Sequence, residues 1–263
     1  MKLDEEIKDF SALGSNEILL KTGERNTLVS LDMNLRQLQN GLLSLGPNTG
    51  TNSKFAWDFN DNTLCVFNYK KHLITSYNVR TKALMDRMVP GVFTRATVIS
   101  DSSVVIRCLD SNTRYQVFKK LNLKNGDILM EKDISPKVND AGMATDGQLH
   151  YDKSTNTIVF TYYYGNGFLC IDSNMFLKYK GRTIDTTKTF HAHISHGKVY
   201  THIDPPDYIN LNSCAENGIL YIQSALQSDD ESNDSFNENS VIDMYRIKDG
   251  QYIGSFLIPN LKT

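Results

Sequence analysis

The stretch "KLNLKNGDILM", residues 120–130, decides the fold, because it has the form of a β-hairpin that recurs along the chain. Apolar residues stand on both sides of a short turn rich in Asn, Lys, Gly and Asp. The same form recurs in "LVSLDMNLRQL" (28–38), "SYNVRTKALM" (76–85), "LCIDSNMFLKY" (169–179) and "MYRIKDGQYIG" (244–254). The turn positions 34, 82, 126, 174 and 250 are separated by 48, 44, 48 and 76 residues. The first three intervals match the roughly 40–50 residues of a four-stranded propeller blade.

Strand-like segments fill most of the remaining chain. Runs such as "NTLCVFNY", "SVVIRCLD" and "NTIVFTYYY" are short, rich in β-branched and aromatic residues, and bounded by turn residues. Helix is expected only in the first ten residues and in "NLRQLQNGLLSL" (34–45), which fits a strand pair equally well. The pattern therefore predicts an all-β protein.

We predict a β-propeller of five to six four-stranded blades, in which each blade buries its faces against its neighbours. A single domain covers residues 1–263, with an N-terminal segment at 1–12. The last interval holds the acidic tract "SDDESNDSFNENS", residues 228–240, which we interpret as a mobile loop inside a blade. Five blades, six blades and a ring left incomplete at the C-terminus all fit the spacing. A β-sandwich or two small β domains is the alternative, but no linker divides the chain.

Charge and hydropathy exclude several function classes. The chain has 28 Lys plus Arg against 30 Asp plus Glu, so no global field favours nucleic acid. No apolar run approaches the roughly 20 residues of a membrane span, and the charged start lacks the apolar core of a signal peptide. The sequence as written predicts a soluble cytoplasmic protein. A periplasmic or cell-envelope location remains open if a signal has been removed.

The four cysteines lie far apart, at residues 65, 108, 170 and 214, without metal-binding spacing. Three of them stand inside apolar strand-like runs, where a thiol behaves as a small buried hydrophobe. We therefore expect buried, reduced thiols. Disulfides and a reactive nucleophile are the less favoured alternatives, because no neighbouring residue pattern indicates a lowered thiol pKa.

Four of the six histidines fall within "HAHISHGKVYTH", residues 191–202. A two-residue turn at His196 and Gly197 would place His191 opposite His202 and His193 opposite Tyr200, all on one face. Cross-strand neighbours at that spacing allow three imidazoles to bind zinc or another divalent metal. A polar face that contacts a ligand, or one that is only solvated, explains the same pattern. No cofactor is expected, and the metal is the alternative.

Other candidate residues are weaker. "TYYYGNGFL" holds three successive tyrosines, so Tyr162 and Tyr164 are predicted to share a strand face, in the core or as a ligand platform. Carboxylate pairs such as Asp58 with Asp61 are explained as turn residues. No serine-hydrolase, zinc-protease, P-loop or dinucleotide motif is present, so no catalytic residue is assigned.

The region 146–186, "DGQLHYDKSTNTIVFTYYYGNGFLCIDSNMFLKYKGRTIDT", with "NLNSCAENGILYI" and "SVIDMYRIKDGQYIGSFLIP", resembles uncharacterised six-bladed β-propeller proteins of Bacteroidetes. These belong to the TolB-like and NHL-like group. The resemblance is clearest over residues 146–259. It implies a six-bladed ring with a further terminal blade, and relatives that are often exported or lipid-anchored. It implies no catalytic residues.

Two functions remain open at this point. The favoured one is a non-enzymatic module that binds a protein, peptide or glycan on one ring face or at the central channel, as repeat scaffolds commonly do through their loops. The alternative is a metal-dependent hydrolase or lyase with His191, His193 and His202 at the channel mouth.

Overall fold

The computed structural model describes residues 7–13, 17–22, 27–32, 34, 36–44, 55–60, 62–78, 80–138, 140, 142–186, 193–196, 201–204, 207–229 and 231–260. Within these residues the chain forms five four-stranded antiparallel sheets, one two-stranded hairpin and one short helix. Each four-stranded sheet contains four consecutive strands that pair in chain order. This is the meander of a propeller blade, and it confirms the prediction of an all-β propeller.

The blades are numbered along the chain. Blade 1 comprises β1 (Ile7–Leu13), β2 (Glu17–Thr22), β3 (Thr27–Asp32) and β4 (Gln37–Ser44). Blade 2 comprises β5 (Phe55–Asn60), β6 (Thr63–Asn68), β7 (Leu73–Asn78) and β8 (Leu84–Met88). Blade 3 comprises β9 (Phe93–Ser100), β10 (Ser103–Leu109), β11 (Gln116–Asn122) and β12 (Ile128–Lys132). Blade 4 comprises β13 (Gly147–Asp152), β14 (Thr157–Tyr162), β15 (Gly167–Asp172) and β16 (Leu177–Arg182).

The hairpin β17 (His193–His196) and β18 (Thr201–Asp204) follows blade 4. Blade 5 comprises β19 (Asn210–Glu216), β20 (Ile219–Ser224), β21 (Asn239–Arg246) and β22 (Tyr252–Pro259), with the helix α1 (Asn233–Glu238) before β21. Because β13 contacts β19 directly, the hairpin is an insertion between two neighbouring blades. The insertion and α1 together explain why the last repeat interval is longer than the others.

The five sequence repeats are hairpins, as the sequence predicted, and each of them joins the third and fourth strands of a blade. An Asp or Asn side chain organises these turns. The carboxylate of Asp32 accepts hydrogen bonds from the backbone N–H groups of residues 34 and 36, and Asp172 does the same for residues 174 and 176. Such Asx turns fix a hairpin from local sequence alone. Gly126 and Gly250 take the left-handed conformation that these turns need, with φ of 81° and 74°.

Two boundary predictions are wrong. The acidic tract 228–240 was expected to be a loop, but it contains α1, which Ser232 caps by accepting a hydrogen bond from the Ser235 N–H, and the start of β21. The N-terminal segment 1–12, whose first ten residues were a helix candidate, contains β1 from Ile7, which pairs with β2. The stretch 34–45, where a helix was one alternative, forms β4.

Packing between blades holds the structure together. The second strands β6 and β14 are buried at every residue, and β10 at all but its last, because both faces of each blade contact a neighbour. Separate apolar clusters fill the interfaces of blades 2 and 3, 3 and 4, and 4 and 5. In blade 5, by contrast, burial alternates along β20 and β22 is mostly exposed. Among the residues that the structure describes, one face of blade 5 is therefore less covered than the faces of blades 2 to 4.

The first strands of successive blades are joined by side chains that reach the next backbone. Asp58 on β5 accepts a hydrogen bond of 2.7 Å from the Val98 N–H on β9. Arg95 on β9 donates to the Gly147 carbonyl at the start of β13. Gln148 on β13 accepts from the N–H of Ser213 on β19. These bonds occupy backbone groups at strand edges that would otherwise lack partners.

A second set of bonds runs in the same direction farther out. Arg87 on β8 donates to the Leu123 carbonyl at 3.2 Å, and Lys120 on β11 donates to the Ser173 carbonyl at 2.8 Å. The Tyr179 hydroxyl on β16 donates to the carbonyl of Ile247. In each of these cases a side chain of one blade binds the main chain of the blade that follows it.

Candidate functional site

The two ends of the propeller differ in their loops. We call the end at which a fourth strand passes to the next blade the connection end, and the opposite end the turn end. The connection end carries the long segments 133–146, 183–209 and 225–238, whereas short turns close the turn end of blades 2 to 5. Long loops on a rigid scaffold usually carry the function of a protein, so the connection end is the place to search.

Three tyrosines cluster at the connection end between blades 4 and 5. Tyr163 and Tyr164 lie in the loop after β14, and Tyr208 precedes β19. Their ring centroids are 5.0 to 6.0 Å apart. Tyr208 is 46% exposed, whereas Tyr164 is 4% exposed. Burial raises the pKa of Tyr164 above its ordinary value, and the contact with Tyr208 adds to that increase.

Backbone hydrogen bonds fix the two segments that carry these tyrosines. The N–H groups of Ile209 and Asn210 donate to the Tyr163 carbonyl at 2.8 and 3.0 Å. The buried Asn210 amide donates to the carbonyls of Tyr162 and Gly165. The tyrosine cluster is therefore held in place before any ligand arrives.

An ion pair lies beside the tyrosines. Arg95 on β9 approaches Asp146, which precedes β13, with Nη2 2.5 Å from Oδ2. The Arg95 guanidinium also lies 5.5 Å from the centroid of the Tyr163 ring, within cation–π range. The side chains of Arg95 and Asp146 are 27% and 23% exposed, so solvent reaches both. We call Arg95, Asp146, Tyr163, Tyr164 and Tyr208 the tyrosine–arginine site.

The buried Arg107 supports the tyrosine–arginine site through the segment that precedes β13. Its side chain is 1% exposed and donates to the Gly142 carbonyl, to the carbonyl and hydroxyl of Thr145, and to Asp146 at 3.4 Å. Burial lowers the pKa of Arg107 to about 10, although the Asp146 charge acts in the opposite direction. Arg107 therefore stays protonated at neutral pH and fixes the segment that presents Asp146.

The predicted pairing of Tyr162 and Tyr164 on one strand face is wrong. The strand β14 ends at Tyr162, whose ring packs against Phe160 in the core between blades 3 and 4, with a centroid distance of 5.2 Å. Tyr164 lies beyond the strand end and contacts Tyr208 instead. Sequence analysis did not single out Tyr208, Arg95 or Asp146, because they come from separate blades and share no motif.

The histidine hairpin forms with a different register from the one predicted. His193 pairs with Asp204 and Ser195 with His202. Because His196 itself pairs with Thr201, it cannot be a central residue of a two-residue turn, and the expected pairing of His193 with Tyr200 is wrong. His191 and Tyr200 lie outside the described residues. The hairpin leaves and rejoins the propeller at the connection end.

Metal ligation by these histidines stays a prediction. Over the ranges that the structure describes, no group of three or more His, Cys, Asp or Glu side chains is placed to hold a metal ion. His191 falls outside those ranges, so the set His191, His193 and His202 needs a direct measurement.

A serine–histidine pair joins the first strands of blades 4 and 5. His150 Nε2 lies 2.8 Å from Ser213 Oγ, and burial lowers the pKa of His150 to about 4. The Ser213 hydroxyl lies 2.9 Å from Oε1 of the Gln148 side chain, to which it donates. His150 is then the donor to Ser213 and does not activate it as a base, so this pair is structural.

The cysteines behave largely as predicted. All four are free, and Cys65, Cys108 and Cys170 are buried while Cys214 is exposed. Burial raises the pKa of Cys108 and of Cys170 to about 11. Neither thiol has the thiolate character of a catalytic nucleophile at neutral pH.

Asp58, expected in a turn, lies in β5, and burial raises the pKa of its carboxyl group.

Comparison with known proteins supports the fold. No protein-family model and no curated protein matches the chain. Among solved structures, the chain is similar to virginiamycin B lyase from Staphylococcus aureus, with a TM-score of 0.56 and 10% identity over 95% of this chain and 69% of that one. It is also similar to a protein of unknown function from Bacteroides thetaiotaomicron, with a TM-score of 0.54 and 11% identity over 94% of this chain and 56% of the other.

A third similar structure is the WD40 domain of Pan2 from Neurospora crassa, with a TM-score of 0.51 and 9% identity over 97% of this chain and 66% of that one. At such identities the likeness extends to the fold alone. Together with the five meander sheets, it defines the protein as a β-propeller. No helix in the described part of the chain has the length and apolarity to cross a membrane.

Proposed function

We propose that this β-propeller is a non-enzymatic binding module that holds a protein, peptide or glycan at the tyrosine–arginine site. The observation that carries the proposal is the contact of three tyrosine rings with a solvent-accessible Arg95–Asp146 pair at the end of the propeller that bears the long loops. Tyrosine and arginine are enriched among residues that dominate binding energy. A tyrosine offers an apolar ring and a polar hydroxyl to the same ligand.

The fixed geometry of the site supports this proposal. The hydrogen bonds from the Asn210 side-chain amide to the Tyr162 and Gly165 carbonyls, and the buried Arg107 network, hold both segments in one conformation. A preorganised site loses less conformational entropy when a ligand binds. Asp146 and Arg95 add donors and acceptors of both charges, which suits a peptide backbone or a sugar hydroxyl better than a purely ionic ligand.

The test compares Tyr208→Ala and Arg95→Gln with the wild-type protein in a peptide-display selection and on a glycan array. We expect a ligand that binds the wild type and loses about tenfold or more of its affinity in each variant, since one lost anchor costs about 1.4 kcal/mol or more. Tyr252→Ala is the matched control, because Tyr252 is 39% exposed at the start of β22, which lies at the turn end of blade 5. A ligand bound equally by Tyr208→Ala and the wild type contradicts the proposal.

The second candidate function is a metal-dependent hydrolase or lyase with His191, His193 and His202 as ligands. The register of the hairpin favours this function, because His193 on β17 and His202 on β18 lie on neighbouring strands, two residues away from direct pairing. One structural neighbour is a virginiamycin B lyase. Elemental analysis of chelator-free protein, beside a His191→Ala/His193→Ala variant, should show near-stoichiometric zinc or another divalent metal only in the wild type. Absence of bound metal removes this candidate.

The extent of the ring belongs to the same proposal. We infer a single propeller domain over residues 1–263, related to the six-bladed TolB-like and NHL-like proteins of Bacteroidetes, in which blade 5 is the last of the blades in chain order. The exposed β22 and the alternating burial of β20 support that arrangement.

A further inference from the structure

A pocket of about 410 Å³ lies between blade 4 and the segment that follows blade 3. It is lined by β15, the end of β16 and Pro136, and it is separate from the tyrosine–arginine site. Its volume falls in the range of roughly 300–1,000 Å³ that is usual for small-molecule sites.

Gly167 opens the pocket on the face of β15 that Leu169 shares. Gly167 on β15 pairs with Arg182 on β16, and Phe168 pairs with Gly181. The ring of Phe168 occupies the space of a side chain at residue 181, since a Cβ there would lie 2.2 Å from it. On the opposite face, a Cβ at Gly167 would lie 3.3 Å from the Gly181 carbonyl oxygen and 3.8 Å from the Tyr162 ring. The pocket floor is therefore bare backbone.

The walls combine apolar surface with two cations. Leu169 and the ring of Tyr162 supply the apolar part. Lys180 and Arg182 are exposed and lie two residues apart on β16, so they project from the same side of the strand. Neither forms a salt bridge within the described part of the chain, and none of the residues lining the pocket is an Asp or Glu. The pocket therefore has a positive rim with no counter-charge among its lining residues, above apolar walls and a floor of backbone.

We propose that this pocket binds a small organic anion with an apolar body. The carboxylate of such a ligand would lie against Lys180 and Arg182, which provide charge-assisted donors. Its apolar part would cover Leu169 and the backbone at Gly167, where burial of apolar surface adds to the affinity. The ligand class follows from the combination of these walls, since neither a cation nor a fully polar anion complements both.

The test uses 2-naphthoate as the probe, with binding measured by isothermal titration calorimetry. We expect one saturable site in the wild type and a dissociation constant about tenfold or more higher in Lys180→Gln/Arg182→Gln, because each lost charged contact accounts for about a factor of ten. The control Lys70→Gln/Lys248→Gln removes two exposed charges elsewhere and should bind within about twofold of the wild type. The neutral analogue 2-naphthalenemethanol should bind the wild type about tenfold more weakly.

A second variant tests the pocket itself. Gly167→Leu should fill the floor and abolish 2-naphthoate binding, with thermal melting used to show that the variant is folded. No binding at millimolar 2-naphthoate, equal affinity of the Lys180→Gln/Arg182→Gln variant, or equal affinity of the neutral analogue overturns the proposal. Tyr208→Ala should leave 2-naphthoate binding unchanged, so failure here and failure of the proposed function are distinguishable.

Discussion

The burial of His150 makes the stability of the propeller depend on pH. Burial between the first strands of blades 4 and 5 lowers the pKa of His150 from 6.5 to about 4. The unfolded chain therefore binds a proton near pH 6.5, whereas the folded protein binds it near pH 4. Stability from the neutral imidazole is complete above pH 6.5 and is lost as the pH falls towards 4.

The size of this effect follows from the two pKa values. A separation of about 2.5 pH units corresponds to about 3 kcal/mol at 1.36 kcal/mol per unit, which is an upper bound because His150 is only partly buried. Asp58 and Asp243 act in the opposite direction, because burial raises the pKa of both carboxyl groups. Their protonation favours the folded state as the pH falls, so the wild-type curve alone does not isolate His150.

The assay compares wild type with His150→Gln, whose amide retains a donor for Ser213 but does not titrate. Urea unfolding at pH 4, 5, 6 and 7 is followed by circular dichroism and by the fluorescence of Trp57, the single tryptophan and a buried residue. The free energy of unfolding of the wild type minus that of the variant should fall by up to about 3 kcal/mol from pH 7 to pH 4. A difference that stays constant across this range refutes the reasoning.

Three further predictions concern packing and thiol access. Arg107→Met leaves the Gly142 and Thr145 carbonyls without their buried donor and should lower the free energy of unfolding by about 3–5 kcal/mol in urea titrations. Gly181→Ala places a Cβ 2.2 Å from the Phe168 ring and should cost about 1–3 kcal/mol, and the double variant with Phe168→Leu should lose less than the sum of the two single changes. In native protein a thiol-specific reagent should label Cys214 alone, and unfolding should expose all four thiols; rapid labelling of more than one thiol in the native state contradicts the structure.

The fold could be predicted because its signal is local. Each repeat contains a hairpin whose Asp or Asn residue organises its own turn, so the hairpins are recognisable without knowledge of their neighbours. The number of blades in the interval of 76 residues could not be inferred from the sequence, because the β17–β18 hairpin and α1 both fall within it. The acidic tract gave no sign of α1, whose six residues depend on the Ser232 cap more than on helix propensity.

The candidate site could not be predicted to the same degree. Arg95, Asp146 and Tyr208 meet only because blades 3, 4 and 5 bring their connection ends together, and no spacing in the sequence encodes that meeting. The histidine hairpin could be predicted from the clustering of its histidines. Its register could not, because Gly197 indicated a two-residue turn, whereas His196 pairs with Thr201. Asp58 was predicted to be a turn residue. Its hydrogen bond with the Val98 N–H could not be recognised from the sequence, because the two residues are 40 positions apart.

The bonds that run from each blade to the next have an evolutionary consequence. Where Asp58, Gln148, Arg87 or Lys120 reaches across an interface, each binds a peptide unit, although Asp58 and Gln148 also accept a hydrogen bond from a hydroxyl. A duplicated blade would carry the side chains that form these hydrogen bonds and would find backbone partners in the blade that follows it. Gene duplication and deletion can therefore change the number of blades without the paired substitutions that side chain to side chain recognition would demand.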